Sequence, residues 1–251
     1  MLEIVVLSLI QGVTEFIPVS SSSHLIIISE FLKFTKENLL TNISLHIGSF
    51  IAVVIFFRNE INNFKKYKRI FFLILISSIP ILGLGFFLVK LEIINYLRGI
   101  KIIGWTTLIF GILLFISDKF ENTKKIENLN LKYSIIIGLF HTFSLIPGVS
   151  RSGIAITGAR ALKFNRYDSA KISFLFSIPT LAAVSIFGLK NLVESESLNF
   201  SFLMIISVIL SFLFSLITIK YFLKYVKSFS LNIFVIYRIF LGVGILVLAY
   251  L

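Results

Sequence analysis

With 251 residues, 57% of them hydrophobic and 14% charged, and a mean hydropathy of +0.98, the chain lies outside the range of water-soluble domains and reads as a polytopic membrane protein. Its net charge of +12 does not imply nucleic acid, because the basic residues are scattered over short loops between apolar runs. The lack of cysteine excludes disulfides, thiolate metal sites and a cysteine nucleophile, which leaves oxygen or imidazole for any hydrolytic chemistry.

The apolar start has neither a basic n-region nor a small-residue cleavage site, so the first residues are expected to belong to the fold. From Ser8 to Leu25 the chain reads SLIQGVTEFIPVSSSSHL, which sets a carboxylate, a run of four serines and a histidine inside sequence built for lipid. A Pro-Ser loop breaks the apolar stretch Met1 to Leu32 near its middle. Each half keeps only about 10 to 15 residues, too few to span a bilayer, and the pair is expected to form a re-entrant hairpin. Three stretches long enough to cross follow, at about Leu39 to Phe57, Ile70 to Val89 and Ile100 to Ile116. After a polar segment, 118–132, the stretch Lys132 to Leu162 is broken in the same way. There Leu139 to Thr157 reads LFHTFSLIPGVSRSGIAIT, with an arginine where the first copy has Ser21 and its Ile-Pro pair 129 residues after the first. Three more crossings are expected at about Lys171 to Leu189, Phe200 to Ile219 and Leu231 to Tyr250.

The fold expected is thus an all-α integral membrane protein of six transmembrane helices and two re-entrant helix-loop-helix hairpins, forming one domain over residues 1–251. Each half, about 1–120 and about 130–251, holds one hairpin and three crossings. Three is odd, so the second half lies upside down relative to the first, giving an inverted-topology repeat. Charge supports this independently. If the Pro18 hairpin enters from outside, the loops 58–69, 118–132, 160–171 and 220–231 are inside and hold sixteen lysines and arginines. The outside segments hold six: Lys33, Lys36, Lys90, Arg98, Lys101 and Lys190. This bias puts both termini outside. Arg151 and Arg238 remain within apolar sequence, and Arg238 is expected to snorkel or to bond carbonyls.

Gln11 and Glu15 are four apart and, if Leu2 to Ile17 is helical, share one face just before Pro18; a carboxylate at membrane depth points by default to a functional site, with a structural ion pair to an arginine as the rival reading. One of Ser20 to Ser23 caps the returning helix. In the second hairpin Gly148 permits a close turn, Ser150 or Ser152 caps, and Arg151 offers a planar cation suited to phosphate. Two helix N-termini and an arginine make a site for a highly charged oxyanion. Glu15 would repel that anion unless a divalent cation, Mg²⁺ or Ca²⁺, lay between them. His24 stands near the first tip as base, acid or nucleophile, or as an interhelical hydrogen-bond partner, while His46 and His141 are expected to bond polar groups around the site.

The motifs QGVTE with FIPVSSSSH, and LIPGVSRSG, resemble the two signatures of the bacterial undecaprenyl pyrophosphate phosphatase family associated with bacitracin resistance. The similarity extends through SLHIGSFIAVVIFFR and SRSGIAITGARALKFNRYDSAKISFLFSIPTLAAV to YRIFLGVGIL. It implies dephosphorylation of a C55 polyprenyl diphosphate on the outer side of the bacterial plasma membrane, recycling the carrier for cell-wall synthesis. By position it makes Glu15 the metal and diphosphate ligand, and matches Ser21 and His24 to the implicated serine and histidine and Arg151 to the phosphate-binding arginine. Gln11, Ser20, Ser22, Gly148, Ser150, Ser152, Gly153 and Thr157 are expected to contact substrate. Three departures stand out: Gln11 where Glu is commoner, Ser22-Ser23 for Thr-Gly, and His46 and His141 where Gln is usual. The rival reading is a secondary transporter or a lipid flippase, since inverted repeats with broken helices are also a transporter architecture.

Overall fold

A computed structural model describes residues 1–31, 39–194 and 202–251, so the segment around Lys33 and Lys36 expected outside the membrane lies beyond the described residues. The described residues form twelve α-helices: α1 Leu2–Thr14, α2 Ser21–Phe31, α3 Leu39–Phe56, α4 Arg58–Asn62, α5 Phe64–Lys90, α6 Ile93–Tyr96, α7 Ile100–Asp118, α8 Leu131–Thr142, α9 Arg151–Ala161, α10 Arg166–Glu194, α11 Phe202–Ser228 and α12 Asn232–Tyr250. Among the described residues the sole β pairing is an isolated bridge between Lys124 and Phe164. Among the described residues five helices, α5, α7, α10, α11 and α12, are long and apolar enough to cross a membrane. The protein is therefore an all-helical integral membrane protein. The sixth expected crossing, α3, is helical but shorter, at 18 residues.

The two broken stretches fold as helix-turn-helix elements with arms of 13 and 11 residues for α1 and α2 and of 12 and 11 for α8 and α9. Ile17-Pro18 and Ile146-Pro147 lie in the turns, as expected from a residue that cannot continue a helix. Part of the helix contact pattern repeats when the halves are exchanged: α1 packs on α11 as α8 packs on α5, α3 on α11 as α10 on α5, while α3 with α10 and α7 with α12 form the central pairs; among the described residues the packing of α9 on α7 and α10 is not matched by α2. Glycine makes the first arm of each hairpin narrow. A Cβ on Gly12 would sit 2.5 Å from Phe214 Cβ, and one on Gly138 would sit 2.3 Å from the Ser77 carbonyl oxygen. Small residues of this kind let apolar helices approach where no hydrophobic force drives them together.

The core lies beneath the first turn. Phe16 packs edge-on against Phe174 of α10 at 5.2 Å, and Phe174 leads on to Phe222 of α11 and Phe234 of α12. On the outside, large apolar side chains such as Phe72, Phe86, Phe202, Ile217 and Phe240 stay exposed, as lipid contact requires.

The segment 118–132, expected as a polar spacer between the halves, is tied to the bundle instead. Asp118 is buried and accepts hydrogen bonds from Arg160 Nε at 3.2 Å, Arg166 Nε at 2.8 Å and Nη2 at 3.0 Å, and the Leu231 amide at 3.2 Å. Arg160, fully buried, also donates to the carbonyls of Asp118, Phe120, Glu121 and Phe164. Counted by sequence as one more loop cation, Arg160 is a structural cross-link. Removing one partner of a buried ion pair costs about 3–5 kcal/mol, because the other charge is left uncompensated. Asp118→Ala is therefore expected to lower the melting temperature of the detergent-solubilised protein by roughly 10 °C, at about 2–4 °C per kcal/mol for a chain of this size.

Candidate functional site

The two turns are built alike. Ser20 and Ser150 hold φ of 76° and 73°, a region that costs a residue with a side chain on the order of 1–3 kcal/mol. Each hydroxyl caps its helix by accepting from the amide three residues on, Ser23 N at 3.5 Å and Gly153 N at 3.1 Å. Each also lies 3.3 Å from the hydroxyl two residues on, that of Ser22 or of Ser152. Gly148, at φ 94°, takes a conformation that a side chain would both strain and block, since a Cβ there would lie 2.0 Å from Thr106 Oγ1.

Because the turns match, Ser21 and Arg151 occupy equivalent places at the starts of α2 and α9, and both reach Glu15. Ser21 Oγ donates to Glu15 Oε2 at 2.7 Å, and Arg151 Nη1 donates to Oε1 at 3.0 Å. From one helical turn earlier, Gln11 Nε2 donates to Oε2 at 3.0 Å and meets His46 Nδ1 at 3.1 Å. Glu15 is thus gripped from both hairpins while 5% exposed. Arg151 keeps 20% of its side chain open and, among the described residues, uses only Nη1 on a protein acceptor. The rest of its guanidinium fork is available to a ligand.

The turns also meet directly. Ser152 Oγ donates to the Ile17 carbonyl at 2.9 Å. Arg238 of α12 is fully buried and donates to four carbonyls: Gly148 at 2.9 Å, Val149 at 3.0 Å, Thr107 at 3.2 Å and Pro18 at 3.4 Å. Of the two expectations for Arg238, bonding to carbonyls holds and snorkelling fails. Thr106 Oγ1 adds a bond to the Pro147 carbonyl at 2.6 Å.

Other candidates lie around this centre. His24 is 9% exposed, with Nδ1 on the Ser20 carbonyl at 2.7 Å and Nε2 on Tyr237 Oη at 2.5 Å. Ser22 is exposed beside the first turn. Gly153 lies under Arg238, where a Cβ would meet Nη1 at 3.0 Å. Thr157 turns its hydroxyl back onto the Gly153 carbonyl at 2.8 Å and does not join the Glu15 cluster. His46 bonds Gln11 as expected, but His141 is fully buried and among the described residues neither ring nitrogen has a hydrogen-bond partner. Two cavities, of about 420 and 610 Å³, lie away from the Glu15–Arg151 pair. The first is lined by Lys66, Arg69 and Lys171, and the second by α11 and α12 side chains and Ile17.

Among the described residues no three His, Cys, Asp or Glu side chains gather closely enough to hold a metal by themselves. The donors present still fit a hard divalent cation that keeps substrate and water among its ligands. Glu15 supplies a carboxylate, and on the same helix face Gln11 Oε1 is buried with no hydrogen-bond partner among the described residues.

Sequence reasoning missed Tyr237 and Asp118 and placed Arg238 at the edge. The available signal was the Tyr-Arg pair itself, a charged residue deep in an otherwise apolar helix.

Fold and site together define a class: an integral membrane protein with a buried carboxylate–guanidinium pair shared between two matching hairpin turns. The family follows from comparison. Residues 4–244 match the model of the family described as bacitracin resistance protein BacA, and the chain belongs to that family. It is 47% identical over 251 residues to the undecaprenyl-diphosphatase of Pelagibacter ubique (strain HTCC1062), covering 99% of this chain and 98% of that one. Identity is 39% over 260 residues to undecaprenyl-diphosphatase 1 of Pseudoalteromonas translucida (strain TAC 125), covering 98% and 97%. To the undecaprenyl-diphosphatase of Jannaschia sp. (strain CCS1) it is 35% over 258 residues, covering 97% of each.

An unmade hydrogen bond at a buried carbonyl costs about 1–3 kcal/mol. Arg238→Met, which removes the arginine's bonds to four carbonyls, is expected to destabilise the protein by several kcal/mol, read as lost thermal stability in detergent. Arg238→Lys, with three donors at one point, recovers part of that stability.

Proposed function

We propose that this chain removes the terminal phosphate of undecaprenyl diphosphate at the Glu15–Arg151 cluster, yielding the monophosphate carrier used in cell-wall synthesis. Membership of the BacA family and the shared name of the three relatives support the reaction. The single observation that supports the location is Arg151, which neutralises Glu15 with one donor and holds the remainder of its fork open at the N-terminus of α9. The two hairpins are read as re-entrant, in one integral domain whose halves are inverted repeats with six crossings. The helix contacts that repeat on exchanging the halves support this reading. Placement in the bacterial plasma membrane with the site facing outward rests on the distribution of lysine and arginine.

Hydrolysis of a diphosphate is mostly positioning and charge stabilisation. Arg151 and the free amides beginning α2 and α9 bind the phosphoryl oxygens and hold the negative charge that grows as the bridging P–O bond breaks. Glu15 orients Arg151 and accepts the Ser21 proton at 2.7 Å, and His24 is the second group able to take a proton. Glu15 and Gln11 Oε1 would hold a Mg²⁺ or Ca²⁺ ion, which supplies further positive charge to the diphosphate.

Loss of a preorganised transition-state contact costs about 10²-fold or more. Glu15→Ala and Arg151→Ala are each expected to lower kcat for phosphate release by the purified protein by that factor, and Arg151→Lys to rescue poorly because a point charge lacks the bidentate fork. Glu15→Ala activity within about threefold of wild type, with saturating Mg²⁺ or Ca²⁺, would overturn the assignment. Orientation has its own test. A cysteine placed at the exposed Asn62 of this cysteine-free chain is expected to resist membrane-impermeant labelling in intact cells, and labelling from outside would reverse the topology.

A further inference from the structure

His24 has its two ring nitrogens committed in different ways. The Ser20 carbonyl can only accept, so His24 Nδ1, 2.7 Å away, carries the proton and donates it. That fixes the tautomer of the neutral ring and leaves its lone pair on Nε2. Nε2 meets Tyr237 Oη at 2.5 Å, so the phenol donates into that lone pair. The two rings also stack, with centroids 5.6 Å apart and planes 6° from parallel, which holds the imidazole against rotation. Tyr237 is itself held in place, because the next residue, Arg238, ties this turn of α12 to the Pro18, Gly148 and Val149 carbonyls. His24 is 9% exposed and Tyr237 44%, so the phenol is the more accessible member of the pair.

We infer that Tyr237 is the group through which His24 exchanges its proton, so that His24 works as an acid–base partner behind a tyrosine and is not the atom that attacks phosphorus. This rests on the reading of the site as a diphosphate phosphatase. In the step, the attacking water gives one proton to Tyr237 Oη as the Tyr237 proton moves to His24 Nε2, and its oxygen ends in the released inorganic phosphate. The new O–P bond forms at the terminal phosphorus, the bridging P–O bond breaks, and the lipid monophosphate leaves with the electron pair. The ring then holds protons on both nitrogens, a cation further stabilised by its bond to the Ser20 carbonyl, and returns one through Tyr237 to the departing lipid monophosphate. A direct attack by Nε2 would first require the phenol to leave.

The test compares purified wild type, Tyr237→Phe, His24→Ala and the double variant, with a short-chain polyprenyl diphosphate in detergent. Tyr237→Phe removes one hydroxyl and keeps the stacked ring, and circular dichroism melting checks that it folds as wild type does. The expected result is a kcat about 10-fold or more below wild type with KM within threefold, as for loss of one proton-transfer group. The double variant is expected to be no worse than His24→Ala alone, since both changes cut one path. A kcat for Tyr237→Phe within twofold of wild type, or losses that multiply in the double variant, would overturn the inference and leave the phosphatase reading intact. His24→Ala activity within threefold of wild type would remove His24 from the chemistry and this inference with it. An alkali-stable, acid-labile phosphoryl label on His24 in rapidly quenched wild-type enzyme would show direct attack and would also overturn it.

Discussion

A guanidinium carries five N–H donors, accepts nothing and keeps its charge, so one taken wholly out of water must be surrounded by acceptors. Arg238 meets that demand with backbone carbonyls alone. Three of the four, those of Pro18, Gly148 and Val149, belong to turns where the helical ladder has stopped and supplies no donor. Irregular backbone at membrane depth has the opposite need, because its carbonyls require donors that lipid cannot provide. One arginine and two broken helices thus satisfy each other, and the placement of Ser21, His24 and Arg151 depends on that arrangement.

Around it the charges are unequal. Glu15 is the one carboxylate bonded directly within the paired turns, and it faces Arg151 with Arg238 close behind the same backbone. One negative and two positive groups in a water-poor interior leave a local excess of positive potential, reinforced by the starts of α2 and α9. An anionic ligand entering this site supplies the missing charge. The charge of Glu15, from which the sequence implied a cation, is partly balanced by the Arg151 contact.

What the sequence made legible was local. The breaks at Pro18 and Pro147, the short arms beside them and the capping serines all follow from backbone rules that act within a few residues. The meeting of Glu15 with Arg151 was legible because the motif occurs twice, and duplication is a long-range signal. Arg238, Tyr237 and Asp118 had no such help. Arg238 bonds carbonyls, which every residue has, so nothing in residue type marks its partners. Tyr237 joins a histidine 213 positions away, and a tyrosine in an apolar helix reads as an interfacial anchor. Asp118 stood at a helix end beside a polar segment, where an acid is ordinarily solvated, and its two arginines were absorbed into the count of inside charges.

Pro18 is made early and Arg238 some 220 residues later. At about 5–20 residues per second of synthesis, the first hairpin waits roughly 10 to 40 s for the side chain that completes its turn. During that interval the Pro18 carbonyl lacks its final donor, and the turn must find temporary ones at the lipid headgroups, in water or in the insertion machinery. The order of synthesis therefore makes α12 a gate on assembly: a nascent chain can thread every earlier helix and still hold incomplete paired turns until its last helix docks.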